Sequence, residues 1–386
     1  MSQHRPLIAA LLFGNFVIGT GVMLSSALLL LIAREFKLDV AHAGWLITVG
    51  AVAVCVGSPV LATLTSRFDR RKLLVGSLAL YSLGHIACAL MPSFGTLVPV
   101  RAVTLLGAAI FTPQAAATVG MLVPPERRSA AITSIFLGWS IASVLGIPLA
   151  AWIGTHLGWR YTFAGFGVFA LIGVVWIWRV VPRGVAGVPI SLSSWLSVVK
   201  HPALIAILLV TAVTASGQFS TFAYIAPFTA AMLGNAATTL PIALLLFGVA
   251  GVMGNIIAAR SIARRGANFN VQVSLGAIFV GLTVMAIAGS SWPGYAVAAL
   301  LWGGGLFANN SSQQARLATT SPELAGVSIA LNTSMMYLGQ AIGTLIGAVV
   351  IAKASISDVP TAGAGLLVVA MLVSVWATRA TQKTAR

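Results

Sequence analysis

LIAALLFGNFVIGTGVMLSSALLLLIA, residues 7–33, runs without one charged side chain. A helix needs about 20 consecutive apolar residues to cross a hydrocarbon layer roughly 30 Å thick. In lipid every backbone N–H and C=O must be satisfied within the protein, so only helices and closed barrels span it. An unbroken run of this length selects the helix over the roughly ten-residue alternating segments of a barrel. It is too long for the apolar core of a leader and leads straight into a second span, so it is read as the first membrane helix.

Working outward, the whole chain has the same character. Of 386 residues, 59% are hydrophobic and 7% charged, with a mean hydropathy of +1.00. Water-soluble domains carry about 25% charged residues, so this composition excludes a soluble globular protein. Spans are expected at 7–33, 43–65, 73–91, 96–121, 130–154, 160–181, 202–232, 239–259, 271–289, 294–317, 325–352 and 361–378. Placing the N-terminus in the cytoplasm puts only Arg34, Lys37, Arg160 and Lys353 outside and Arg101 within a span; the other seventeen of 22 Lys and Arg fall inside. This is the positive-inside pattern. The net charge of +16 thus reports topology and calls for no nucleic-acid partner. Trp45, Trp159, Trp195 and Trp292 sit near span ends, where an interfacial belt is expected, whereas Trp139 falls mid-span. Cys55 and Cys88 lie in apolar runs as packed thiols, with no metal-ligand spacing.

The longest polar interruption, 182–201, divides the chain into residues 1–181 and 202–386, and Ser191 to Leu196 within it suits a short amphipathic segment on the inner surface. The halves repeat. Adding 197 carries Gly57 to Gly254, Arg67 to Arg264, Gly107 to Gly304, Pro125 to Pro322, Glu126 to Glu323 and Gly146 to Gly343. A parallel repeat of six spans is the layout of two bundles rocking about a central site.

Four segments then carry a family resemblance. The loop after span 2, Ala62 to Arg71, places Arg67, Arg70 and Arg71 on the pattern Gly-x-x-x-Asp-Arg-x-Gly-Arg-Arg, while Ala62, Ser66 and Asp69 depart from it. Val100-Arg101 through Gly107 matches Arg-x-x-x-x-x-Gly. Span 5 holds Gly138, Gly146-Ile147-Pro148 and Gly154, small residues that allow close helix contact and a proline that bends the helix. Thr221 to Phe228 in span 7 and the polar run Asn309-Asn310-Ser311-Ser312-Gln313-Gln314 in span 10 complete the set. The chain resembles the major facilitator superfamily, and within it bacterial twelve-span drug and sugar efflux proteins of the proton-antiporter group. The resemblance implies an all-α membrane protein with twelve transmembrane helices in two pseudo-symmetric six-helix bundles.

It further implies that spans 1, 4, 7 and 10 line a wet cavity, with Gln114, Gln218, Tyr224, Asn309, Asn310 and Gln313 as candidate substrate contacts. Six consecutive polar side chains cannot all face lipid cheaply, which supports the cavity; hydrogen bonds between helices are the competing explanation. Arg101 is the candidate coupling residue, since charges inside a membrane usually mark a pathway, with snorkelling to the outer interface as its alternative. Arg67, Asp69, Arg70, Arg71 and Arg264, with Gly146 and Pro148 in span 5, are the candidate gating residues, the arginines as a latch between the bundles. The acids Glu35, Asp39, Asp69, Glu126, Glu323 and Asp358 all fall in loops or at span ends. A substrate cation would therefore find no carboxylate beside Arg101, and a neutral or anionic solute is expected, with Arg101 setting a positive field. Proton coupling would then use Asp69, His85 or the solute itself.

No GxxxxGK[ST] loop and no nucleophile–base set occurs, so neither ATP drive nor an enzyme is expected, and no cofactor is called for. The expected protein is a monomeric exporter in a bacterial inner membrane, both termini cytoplasmic, with a small sugar-, nucleoside- or drug-like solute, the bilayer and protons as its partners. An importer or facilitator of the same fold, or a transporter-like receptor, is the alternative.

Overall fold

The computed structural model describes residues 5–186, 192–234 and 236–384. Of the expected linker, residues 187–191 lie outside the described residues, as does Arg386. Helices α1 (Arg5–Glu35), α2 (Val40–Ala43), α3 (Trp45–Leu64), α4 (Arg70–Leu90) and α5 (Phe94–Leu122) come first. They are followed by α6 (Pro125–Ile141), a π turn (Ala142–Gly146), α7 (Ile147–Leu157) and α8 (Trp159–Val180). The short α9 (Leu192–Lys200) leads to α10 (Pro202–Phe222), α11 (Ile225–Leu233), α12 (Ala236–Ala288), α13 (Trp292–Thr320), α14 (Ala325–Lys353) and α15 (Val359–Thr384). No strand forms among the described residues; a single antiparallel bridge joins Asp69 to Ala186.

Ten of these helical segments are long and apolar enough to cross a membrane. Two further crossings complete the expected twelve. At about 1.5 Å per residue, α12 would be nearly 80 Å long, too long for one crossing. It is broken at Gly266, whose φ of 80° is open to glycine without strain. The other is α13, whose polar run Asn309 to Gln314 lowers its hydropathy although it has 29 residues.

Helix pairings recur between the halves. In the first, α1 packs on α6 and α8, and α4 on α5 and α8; in the second, α10 packs on α14 and α15, and α12 on α13 and α15. The repeat reaches single contacts. A Cβ on Gly107 would meet the carbonyl of Ser77 at 2.5 Å, and one on Gly305 the carbonyl of Ser274 at 2.9 Å. Ser77 and Ser274 are 197 residues apart, so the same serine carbonyl receives a helix glycine in each half, Gly305 lying one residue beyond the position equivalent to Gly107. The halves meet along α3 with α14, and along α7 and the π turn with α12.

Pro148 explains the π turn. Its ring would crowd a carbonyl four residues back and it supplies no N–H; the turn widens instead, and the Ile147 N–H reaches the Ala142 carbonyl, five residues behind. Gly146 lets this turn close on α1, since a Cβ there would overlap Thr20.

The tryptophan belt is only partly as expected. Trp45 and Trp292 are exposed, but Trp159 and Trp195 are buried. Trp159 turns inward because its indole N–H bonds Glu35 at 2.5 Å and its ring packs on Phe36 and Phe163. Arg160 pairs with the same carboxylate at 2.8 Å.

Candidate functional site

Between the halves lies a cavity of about 340 Å³, within the range of small-molecule sites. Its first-half wall is largely apolar, with Val22, Met23, Val54, Ile132, Phe136 and Trp139. The second half contributes carboxamides: Gln218 from α10, Asn255 from α12, Asn309, Asn310, Gln313 and Gln314 from α13, and Asn332 and Gln340 from α14. No Asp, Glu, Lys, Arg or His lines it among the described residues.

Depth along the helices fixes which way it faces. On α13 the lining starts at Leu306 and runs toward Thr320; on α14 it spans Asn332 to Gln340, nearer Ala325 than Lys353. The cavity therefore sits on the side of the basic loops. At the other end Leu29, Ala33, Ala43 and Ile47 pack against Ala223, Tyr224, Ala348 and Ile351, an apolar seal across the two halves.

Tyr224 belongs to that seal and not to the cavity lining. Helix α10 stops at Phe222 and α11 resumes at Ile225, with Tyr224 at φ −109° and ψ 20° between them. Its hydroxyl donates to the Thr344 carbonyl at 2.9 Å, and it closes on Gly44, where a Cβ would overlap it. Gln114 is also outside the lining: it is buried and accepts from the Arg70 guanidinium. Gln218, Asn309, Asn310 and Gln313 are brought together in the cavity. Trp139, Asn255, Asn332 and Gln340 were not anticipated as lining; a tryptophan in mid-span was the one sequence signal among them.

Arg101 lies behind the wall, 1% exposed, so its side chain does not snorkel. It donates to the Gly21 carbonyl at 2.5 Å and the Val22 carbonyl at 3.3 Å, faces His85 Nε2 at 3.0 Å, and covers the Phe163 ring at 5.5 Å. A guanidinium only donates, so His85 Nε2 is the acceptor. Its Nδ1 therefore carries the proton and donates to the Tyr81 carbonyl at 2.7 Å. A side chain on Gly21 would strike His85 Nε2 at 2.8 Å and Phe166 at 2.7 Å. The space beside span 1 is thus already filled by this network. Because Arg101 does not line the cavity, the expected positive field does not arise from a guanidinium at its surface. A second arginine, Arg316, was counted with the inner basic residues; it is buried, donating to Thr378 Oγ1 at 2.9 Å and the Ser374 carbonyl at 3.2 Å.

The gating residues are spread out. Arg70 reaches Gln114 and Arg71 stacks 5.0 Å over Trp178, both within the first half. Asp69 caps α4 through the Lys72 N–H at 3.0 Å and accepts from the Gly184 N–H at 2.7 Å. The Lys72 backbone hydrogen bond, with that from Gly184, holds its carboxyl below the usual carboxylate range. Arg67 and Arg264 are exposed, without an ion pair among the described residues. Among the described residues neither arginine is ion-paired to the other half, and the cavity opens on the side of these loops. Gly146 and Pro148 shape the turn beside α12: a Cβ on Gly248 would overlap the Ser143 carbonyl.

Two similar helical halves around a solute-sized, uncharged cavity, sealed at one end, define a membrane carrier of small solutes rather than an enzyme. The comparisons with known proteins agree. The Major Facilitator Superfamily model matches residues 11–384, and the chain belongs to that superfamily. It is 30% identical over 374 residues to the inner membrane transport protein YdhP of Escherichia coli K12, covering 97% of this chain and 96% of that one. It is 27% identical over 360 residues to the uncharacterized MFS-type transporter YbcL of Bacillus subtilis, covering 93% and 92%. Among solved structures, a bacterial homolog of the human lysosomal transporter Spinster, inward-facing and unoccupied, matches with a TM-score of 0.77 at 16% identity over 99% and 98% of the chains. A D-xylose-proton symporter matches with a TM-score of 0.76 at 15% identity over 97% of each chain.

Proposed function

We propose that this protein is a secondary active transporter that exports a small uncharged solute from a bacterial cell by alternating access. Residues 1–181 and 202–386 act as two bundles joined by the 182–201 linker, and both termini lie in the cytoplasm of the inner membrane. The observation that carries the reading is the cavity lining: polar on one wall, with no charged side chain among the described residues. Transferring an unpaired ion into such a site costs far more than transferring a neutral polar molecule that can hydrogen-bond. Of the neutral and anionic solutes expected from sequence, the neutral class is therefore favoured. The outward direction rests on the resemblance of span 5 to antiporters. Coupling to protons is part of the proposal, carried by Asp69, because an uncharged solute brings no ionisable group and a proton on His85 Nε2 would face the Arg101 guanidinium.

Proteoliposomes with imposed pH and voltage gradients test this. Uncharged solutes are expected to accumulate against their gradient when a pH difference is applied. Strong pH-driven antiport of a permanently cationic drug, unchanged in Arg101→Ala, would show the charge assignment to be wrong. Equilibration without accumulation would instead identify a facilitator.

A further inference from the structure

We infer that the solute is a flat, uncharged heteroaromatic compound with hydrogen-bond acceptors along one edge, a class more specific than the proposed function on which it rests. Two independent features of the cavity point to it.

The first is the direction of the hydrogen bonds already made. Gln218 Oε1 accepts from the Trp302 indole N–H at 3.2 Å. An indole nitrogen only donates, so the amide orientation is fixed. Gln313 Nε2 donates to the Ile207 carbonyl at 3.4 Å and to Thr211 Oγ1 at 3.2 Å. The Thr211 hydroxyl passes its own proton to Asn332 Oδ1 at 2.6 Å. The oxygens of Gln218 and Asn332 are thus both in use, while their NH2 groups have no partner among the described residues. Both residues line the cavity. At Gln218 and Asn332 the polar wall therefore offers donors, to which a bound solute must supply acceptors, while the buried and unpartnered Gln313 Oε1 leaves one acceptor beside them.

The second feature is the opposite wall, where Phe136 and Trp139 stand among mostly aliphatic side chains, with Thr112 and Ser140 as the polar exceptions. Aromatic rings favour offset or edge contact with another flat ring. A hexose could lay a C–H face on this wall, but each hydroxyl around its rim brings a donor hydrogen that the amide NH2 groups of Gln218 and Asn332 cannot accept. An anion would find no cation at the surface, and a cation no carboxylate. A carbonyl- and ring-nitrogen-bearing heterocycle satisfies both walls at once.

The test uses the purified full-length protein in lipid nanodiscs, with caffeine as the probe because it is flat and uncharged and has acceptors but no donors. Glucose, benzoate and tetraphenylphosphonium are compared with it. Caffeine is expected to raise the melting temperature with concentration, as a ligand of the native state must. Gln218→Glu and Asn332→Asp keep the side-chain shape but replace a donor with an acceptor, and each should weaken caffeine binding at least tenfold. If either variant melts too early to compare, Gln218→Leu and Phe136→Ala are read by direct titration, with roughly tenfold losses expected. No caffeine response, or a response unaltered in these variants, overturns the inference. Glucose binding at the same residues would also overturn it while leaving an uncharged-solute transporter standing. Benzoate or tetraphenylphosphonium binding there would remove both.

Discussion

Gly254→Ala is expected to destabilise the protein by on the order of 2–3 kcal/mol, although glycine to alanine within a helix normally stabilises by about 1 kcal/mol. Gly254 of α12 meets α13 backbone to backbone, and a Cβ there would overlap the Gly304 carbonyl and lie 2.7 Å from its Cα. A flexible side chain could move aside, but Gly304 offers only main chain. Next to Gly304, a Cβ on Gly303 would likewise overlap the Phe247 carbonyl of α12, so the two helices meet main chain to main chain along this stretch. The same α13 carries Asn309, Asn310 and Gln313 into the cavity, so forcing it outward displaces the polar wall. Gly254→Leu should leave little folded protein and no transport. Gly276 is the control, since nothing lies within 4 Å of a Cβ there. Gly276→Ala should raise the melting temperature slightly. Equal behaviour of the two alanine variants in a thermal melt would remove close helix approach as the explanation.

Arg101→Met is expected to reduce transport at least tenfold while destabilising the protein by only about 2–5 kcal/mol. The stability change is limited because the terms oppose each other. Burying an arginine mid-helix costs about 2.5–3.5 kcal/mol on insertion scales, and hydrogen bonds to a charged group return about 1.5–3 kcal/mol each. The variant loses both. What it cannot replace is the tie from α5 to the Gly21 and Val22 carbonyls of α1 and to His85 of α4. Val22 itself lines the cavity, so this tie fixes the wall against which the solute packs. Arg101→Lys should not rescue transport, because one ammonium cannot reach imidazole and carbonyls in the planar fork that a guanidinium provides. Transport rates in proteoliposomes, set beside melting temperatures, separate the two effects. Wild-type transport in Arg101→Met would reduce Arg101 to a packed cation.

Much of this arrangement is legible in the sequence, and the exceptions have physical causes. The uncharged run from Leu7 to Ala33 and the 197-residue spacing needed only composition and period, which are read without knowing how helices pack. Asn309, Asn310 and Gln313 could be placed because polar residues inside a span have few alternatives to a wet cavity. Tyr224 shares a cavity-facing span with Gln218, yet depth along the helix decides its role. It lies beyond the break at Ala223, where the halves close on each other. Gln114 is consumed by Arg70, a residue that sequence assigns to a loop but which the fold buries. Trp139 and Asn332 reach the cavity only through packing of α6 and α14 against partners far away in sequence, which no local pattern records. The orientation of Arg101 was open for the same reason: whether it turned to the interface or inward depended on where the carbonyls of α1 lay.

The cavity between the halves is open on the basic-loop side and sealed on the other by Tyr224 and its neighbours. A single cysteine at Asn310, which is exposed within the cavity, reports on it directly in a background where Cys55 and Cys88 are serine. With no solute present, a membrane-impermeant maleimide should label this cysteine from the cytoplasmic face of inverted vesicles and leave it unlabelled in right-side-out vesicles. Labelling at equal rates from both faces, or from the outside alone, would contradict the account.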